Sequence, residues 1–127
     1  MVRLVDNNML PQDDGKDYVC WRRRGFNQQA DHVANKALEN NEEAFLVDTE
    51  AWYNARLHRY NLLCFADGGY WSGENRAAGA WVIFSWDGVN AVLLALQATI
   101  LTDHKSSFCA ETIALSTLIQ FLHDRLV

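Results

Sequence analysis

Residues 61–86, NLLCFADGGYWSGENRAAGAWVIFSW, hold two apolar runs separated by glycines and polar residues. NLLCFA reads as a strand that ends on Asp67-Gly68-Gly69. WSGENRAAG is a glycine-containing turn region, and AWVIFSW alternates like a second strand. Asp87-Gly88 is a hairpin signal, and AVLLALQATIL (91–101) supplies a third strand. Three consecutive strands with short connections predict an antiparallel meander.

Outward from this block, SSFCAETIALSTLIQFLHDRLV reads as a helix capped by Ser106 or Ser107. Ala110, Ala114, Leu118, Ile119, Leu122 and Leu126 form its apolar stripe. Towards the N-terminus, YVCWRRR (18–24) alternates like a strand and is expected to lie parallel to NLLCFA. Asn27 is a good N-cap, and Ala30, Val33, Ala34, Ala37 and Leu38 predict a helix over 28–40. Residues 41–60 mix charges and aromatics without a clean period, so they are read as a connector with one or two helical turns. The expected architecture is α/β: one mixed sheet, a three-strand meander plus a parallel strand, with two helices packed over it.

The 127 residues suit one domain, and half of them are apolar, enough for a packed core. A net charge of −5 argues against coating nucleic acid by bulk electrostatics. A local basic patch, Arg22-Arg23-Arg24, remains. Cys20, Cys64 and Cys109 have no CxxC spacing and read as buried free thiols in a reducing compartment. The start VRLVDNN lacks a secretory apolar segment, and AVLLALQATIL is too short to span a bilayer. The expectation is a cytoplasmic or nuclear protein with no membrane partner.

Three carboxylates stand in awkward places. Glu111 is in register with Ala114, Leu115, Leu118 and Leu122, on the core-facing stripe near the start of its helix. Asp31 is in register with Ala34 and Leu38 in the first turn of the other helix. Either one alone is an ordinary first-turn acid favoured by the helix dipole. Asp67 follows directly on an apolar strand, where an unpaired buried carboxylate would cost several kcal/mol; as a turn residue of Asp-Gly-Gly it would be commonplace. Taken together, acids at the ends of separate apolar elements can converge. Converging anions call for a cation with oxygen ligands, Mg²⁺ or Mn²⁺, and such sites serve phosphoryl transfer.

LLCFADGGYWSGENRAAGAWVIFSW, the strand after it and SSFCAETIAL resemble the first half of the ribonuclease H domain. The shared features are a strand reaching Asp-Gly, a small-residue-rich second strand, a third strand and an Ala-Glu helix. YVCWRRRGFNQQADHVANKAL resembles the end of the same domain, a strand leading through Arg and Asn to an Ala-Asp helix. The last block precedes the first, so the chain looks circularly permuted, or like a fragment across a tandem junction. Residues 17–40 would be the family's C-terminal block, 41–60 the new connector, and 61–127 its N-terminal block.

The resemblance implies a metal-dependent endonuclease that cuts the RNA strand of an RNA–DNA hybrid. Asp67, Glu111 and Asp31 would be its catalytic metal ligands, with Mg²⁺ or Mn²⁺ as cofactor. Gly68 and Gly69 would let a nucleic-acid backbone approach, and Arg23, Arg24 and Asn27 would contact the substrate. The family's central strand carries another aspartate, for which Asp6 is the only substitute. The polar loop after Asp6 is short for a parallel crossover into YVCWRRR, so three carboxylates are counted.

The alternatives are a ribonuclease-H-like module that binds nucleic acid or protein without catalysis, such as a retroelement remnant, and an unrelated small α/β domain. A second copy of the chain could cover an exposed sheet edge.

Overall fold

The computed structural model describes residues 2–5, 17–20, 28–74, 76–102 and 106–126. The elements run β1 (Val2–Val5), β2 (Asp17–Cys20), α1 (Gln28–Asn40), β3 (Ala44–Val47), α2 (Thr49–Leu57), β4 (Asn61–Trp71), β5 (Arg76–Trp86), β6 (Ala91–Thr102) and α3 (Ser107–Leu126). The expected meander is present, and β3 joins it to make a four-stranded antiparallel sheet in the order β3-β6-β5-β4. Arg23, Arg24, Asn27 and Asp6 lie outside the described residues.

The β5–β6 hairpin closes as Asp87-Gly88 predicts. Asp87 Oδ1 accepts the backbone N–H groups of Val89 at 2.8 Å and Asn90 at 2.7 Å. These bonds, from Asn90 and Val89, hold its carboxyl below the ordinary range. Gly88 sits at φ 100°, which an L side chain resists.

β4 does not end at Asp67. Pairing continues through Asp67 opposite Ala80, Gly68 opposite Gly79 and Gly69 opposite Ala78, as far as Trp71 opposite Arg76. Asp-Gly-Gly here is extended backbone rather than a turn, because the small residues of β5 pair with it along the full register.

Helices cover both faces of the sheet. On one face Ala78, Ala80 and Ala98 meet Ala34, Ala37 and Leu38 of α1. On the other, Trp81, Ile83, Leu94 and Ala95 pack with Trp52 and Ala55 of α2 and Leu118 and Phe121 of α3. Phe121 is the hub of that second cluster, its ring centroid 4.7 Å from Trp81 and 5.5 Å from Trp52. Small residues set how closely the helices approach. A Cβ on Gly79 would lie 2.5 Å from the Ala110 carbonyl oxygen, and one on Gly68 would lie 2.6 Å from the Glu111 backbone nitrogen.

The connector 41–60 holds a short helix, α2, as expected, and also a strand, β3, that its sequence did not suggest. Asp48 caps α2 by accepting the Ala51 N–H at 3.0 Å, and β3 pairs antiparallel with β6. Glu43 extends that pairing by one step, its carboxylate accepting the Ile100 N–H at 3.1 Å. α1 occupies its predicted span and stops where Asn41 turns left-handed at φ 52°, with the Glu42 N–H bonded to the Ala37 carbonyl at 3.2 Å.

Three further expectations are corrected. Residues 17–20 form a parallel pair with β1, not with β4. Cys64 keeps exposed surface at the sheet edge, although burial of its thiol pushes the pKa up to about 12, and Cys109, in the first turn of α3, is only partly covered. Glu111, Ile119 and Leu126 lie on the solvent side of α3, whose buried stripe is Ala110, Ala114, Leu118 and Phe121. α3 is apolar around most of its circumference, so periodicity alone does not single out the core side.

The glycine contacts predict that Gly79→Ala destabilises the fold by about 2–3 kcal/mol through overpacking against α3, while Gly73→Ala, with open space around it, is close to neutral. Phe121→Ala should cost about 3–5 kcal/mol by emptying the aromatic cluster. Urea unfolding of the three variants checks both statements.

Candidate functional site

Asp67 belongs to the middle of β4, where alternation points residues 67, 69 and 71 towards α1 and residues 66 and 68 towards α3. A Cβ on Gly69 would meet Leu38 and Asn35 of α1, and one on Gly68 would meet Ala110 and Glu111 of α3. The Asp67-Gly68-Gly69 backbone is therefore gripped from both faces. The same close approach carries Asp31, in the first turn of α1, and Glu111, in the second turn of α3, to the neighbourhood of Asp67.

The electrostatics report that proximity. Partial burial pushes the Asp67 carboxyl above its ordinary range, and the Gly68 N–H, bonded to Asp67 Oδ1 at 2.8 Å, pulls the other way. The negative charges of Asp31 and Glu111 add to the upward push, as does a hydrogen-bonding contact between the carboxyl groups of Asp67 and Asp31. Like charges brought this close favour a bound proton or cation at Asp67.

The three acids do not form a closed cage. Among the described residues, no three His, Cys, Asp or Glu side chains are grouped tightly enough to hold a metal ion. Asp31 and Glu111 are exposed, whereas Asp67 is half-buried and anchored by its own backbone bond. An all-oxygen donor set of three carboxylates open to solvent on one side suits a hard divalent cation that retains several waters, as Mg²⁺ does. In that respect the residues fit the ion that the resemblance implies.

Two supporting residues are not singled out by the sequence alone. Asn35 donates its amide to Asp31 Oδ2 at 3.2 Å, a one-turn pair that orients the carboxylate. Its signal in the sequence is the four-residue spacing within ADHVAN. Arg76 donates to the Leu38 carbonyl at 3.1 Å, pairs with Glu74 and lies over the Trp71 ring. It ties the β4–β5 hairpin to the last turn of α1, which keeps Asp31 over the sheet. A shallow hollow of about 190 Å³ beside α1, lined by His32, Lys36, Asn40 and Glu43 among others, includes none of the three acids.

Because the folded-state pKa of Asp67 lies above its unfolded value, its contribution favours folding below the unfolded pKa and is lost as pH rises through the folded one. Without divalent ions, Asp67→Asn should therefore be more stable than the unmodified protein at pH 7. The gain should be at most about 1 kcal/mol, because the site opens to solvent. The difference should vanish as pH falls below about 4. Thermal unfolding at the two pH values reads this directly, and a loss of stability in the variant at pH 7 would contradict it.

Among the described residues, no helix is long and apolar enough to cross a membrane. No family model, curated protein or solved structure matches the chain.

Proposed function

We propose that this chain is a ribonuclease-H-like module that hydrolyses the RNA strand of RNA–DNA hybrids with Mg²⁺ or Mn²⁺. The observation that carries the proposal is the approach of Asp31 and Glu111, from two helices on opposite faces of the sheet, to Asp67 beside two glycines. The order of the elements, a meander leading into an Ala-Glu helix with the Ala-Asp helix placed before it, adds support. This order resembles that of a permuted ribonuclease H domain.

Asp67, Asp31 and Glu111 would hold the ion, which when bound supplies a water activated at neutral pH and stabilises the leaving oxygen. Asp67 supplies the fixed ligand, since its Oδ1 is already oriented by the Gly68 N–H. Asn35 holds Asp31 towards it. Gly68 and Gly69 are covered by α3 and α1 and serve to draw the two helices in, so a sugar–phosphate backbone would reach the carboxylates from the solvent side, where Asp31 and Glu111 are exposed. Among the features of such a substrate, the 2′-hydroxyl is the one that distinguishes an RNA strand from DNA.

The incomplete cage among the described residues favours one alternative, a module of the same fold that binds nucleic acid or protein without cutting. Divalent-ion titration separates the two. A metal-binding chain must melt at higher temperature as the ion is added, by the equivalent of about 2.7 kcal/mol at a hundredfold excess over its dissociation constant. Asp67→Asn should lose that response.

With a labelled RNA–DNA hybrid and Mn²⁺, the unmodified chain should release RNA fragments. Chelation should abolish the release, and Asp67→Asn and Glu111→Gln should each reduce it at least about 100-fold while remaining folded. Equal activity in Asp67→Asn would reject the role given to that residue. Metal-dependent melting without cleavage would leave the binding module.

A further inference from the structure

α3 has more apolar surface than the sheet can cover. Beside its buried stripe, Phe108, Thr112, Leu115, Ile119, Leu122 and Leu126 follow one another in alternating steps of four and three residues, the spacing of a coiled-coil seam, with Leu122 half-buried against the core cluster and the others exposed. Phe108 is 73% exposed, Leu115 52%, Ile119 64% and Leu126 41%. A surface helix of a monomer ordinarily carries polar residues there. Thr112, the polar member, donates its hydroxyl to the Phe108 carbonyl at 2.8 Å, so that group makes no demand on a partner. Ser116, at the rim, does the same to Ile113 at 3.2 Å.

We propose that this seam is a dimer interface whose occupant is the same helix of a second copy, packed antiparallel across a two-fold axis. The spacing is self-complementary in that direction. Phe108 falls opposite Leu126 of the partner subunit, Thr112 opposite Leu122 of the partner subunit, and Leu115 opposite Ile119 of the partner subunit. Every layer then pairs an a-type with a d-type position, and a two-fold axis repeats each contact.

Charge favours the same direction. Glu111 flanks the N-terminal end of the seam, and His123 and Arg125, the latter resting over the Phe121 ring at 5.0 Å in the single chain, flank the C-terminal end. The antiparallel arrangement sets Glu111 against Arg125 of the partner subunit, while a parallel one sets like beside like. Asp124, the remaining acid at that end, is engaged by the Gln120 amide at 2.8 Å within its own helix. The dimer follows from α3 alone and does not depend on the proposed nuclease chemistry. Its rim adjoins Glu111, so the partner's Arg125 offsets part of the negative charge of the carboxylate group.

Sedimentation velocity with chelator present, at protein concentrations up to about 100 µM, tests the interface. The unmodified chain should sediment as a dimer at the upper end. The double variant Leu115→Glu, Ile119→Glu should dimerise about 100-fold more weakly, with unchanged far-UV circular dichroism and, at concentrations where both proteins are monomeric, unchanged melting. Arg125→Glu alone should weaken the dimer, and combining it with Glu111→Arg should restore it. A monomer throughout, a dimer that survives the Leu115→Glu, Ile119→Glu exchange, or loss of fold in that variant would overturn the proposal. Failure of the charge exchange to restore association would overturn the antiparallel pairing.

Discussion

The sheet is thinnest where it matters most. Ala78, Ala80, Gly68, Gly69 and Gly79 leave almost no side-chain height at the level of Asp67, and two helices use the space from opposite faces. Small-on-small packing of this kind gains little per residue from hydrophobic transfer, since an alanine buries little apolar area. It gains through close contact instead, and close contact is intolerant of added volume. The carboxylates approach one another because backbones do.

A division of labour follows from this arrangement. The aromatic cluster of Trp52, Trp81 and Phe121 supplies bulk on the α2 and α3 face, away from the acids. The alanine-lined face under α1 supplies proximity, and Arg76 fastens its far end through the Leu38 carbonyl. The acids sit between these regions, where the fold tolerates a half-buried carboxylate because one backbone N–H and open solvent offset part of its cost.

Much of this was legible in the sequence because it is local. Asp87-Gly88 encodes its own turn, the alanine spacing of α1 encodes its bounds, and the apolar runs of β5 and β6 encode strands. Asp67 stood out because an acid after an apolar run demands a reason. β3 was less legible, since its residues are mostly exposed and its existence depends on the partner strand β6, although Asp48 with Ala51 is a readable cap for α2. The continuation of β4 through two glycines was invisible, because glycine in extended pairing and glycine in a turn are spelled alike. The core side of α3 was ambiguous for the opposite reason, an excess of apolar residues on both sides.

The chain order of these pieces has a consequence for how the molecule assembles. α1 precedes β4, β5 and β6, yet its buried face is completed by all three. As the chain leaves the ribosome, α1 emerges before the surface it needs, and its alanines give it little reason to collapse onto anything else. The meander can close through neighbouring strands, with short loops to span. Docking of α1 then comes late, and with it the crowding of Asp31 against Asp67. The electrostatic penalty of the site is thereby met by a sheet that is already built, rather than by a nucleus still forming.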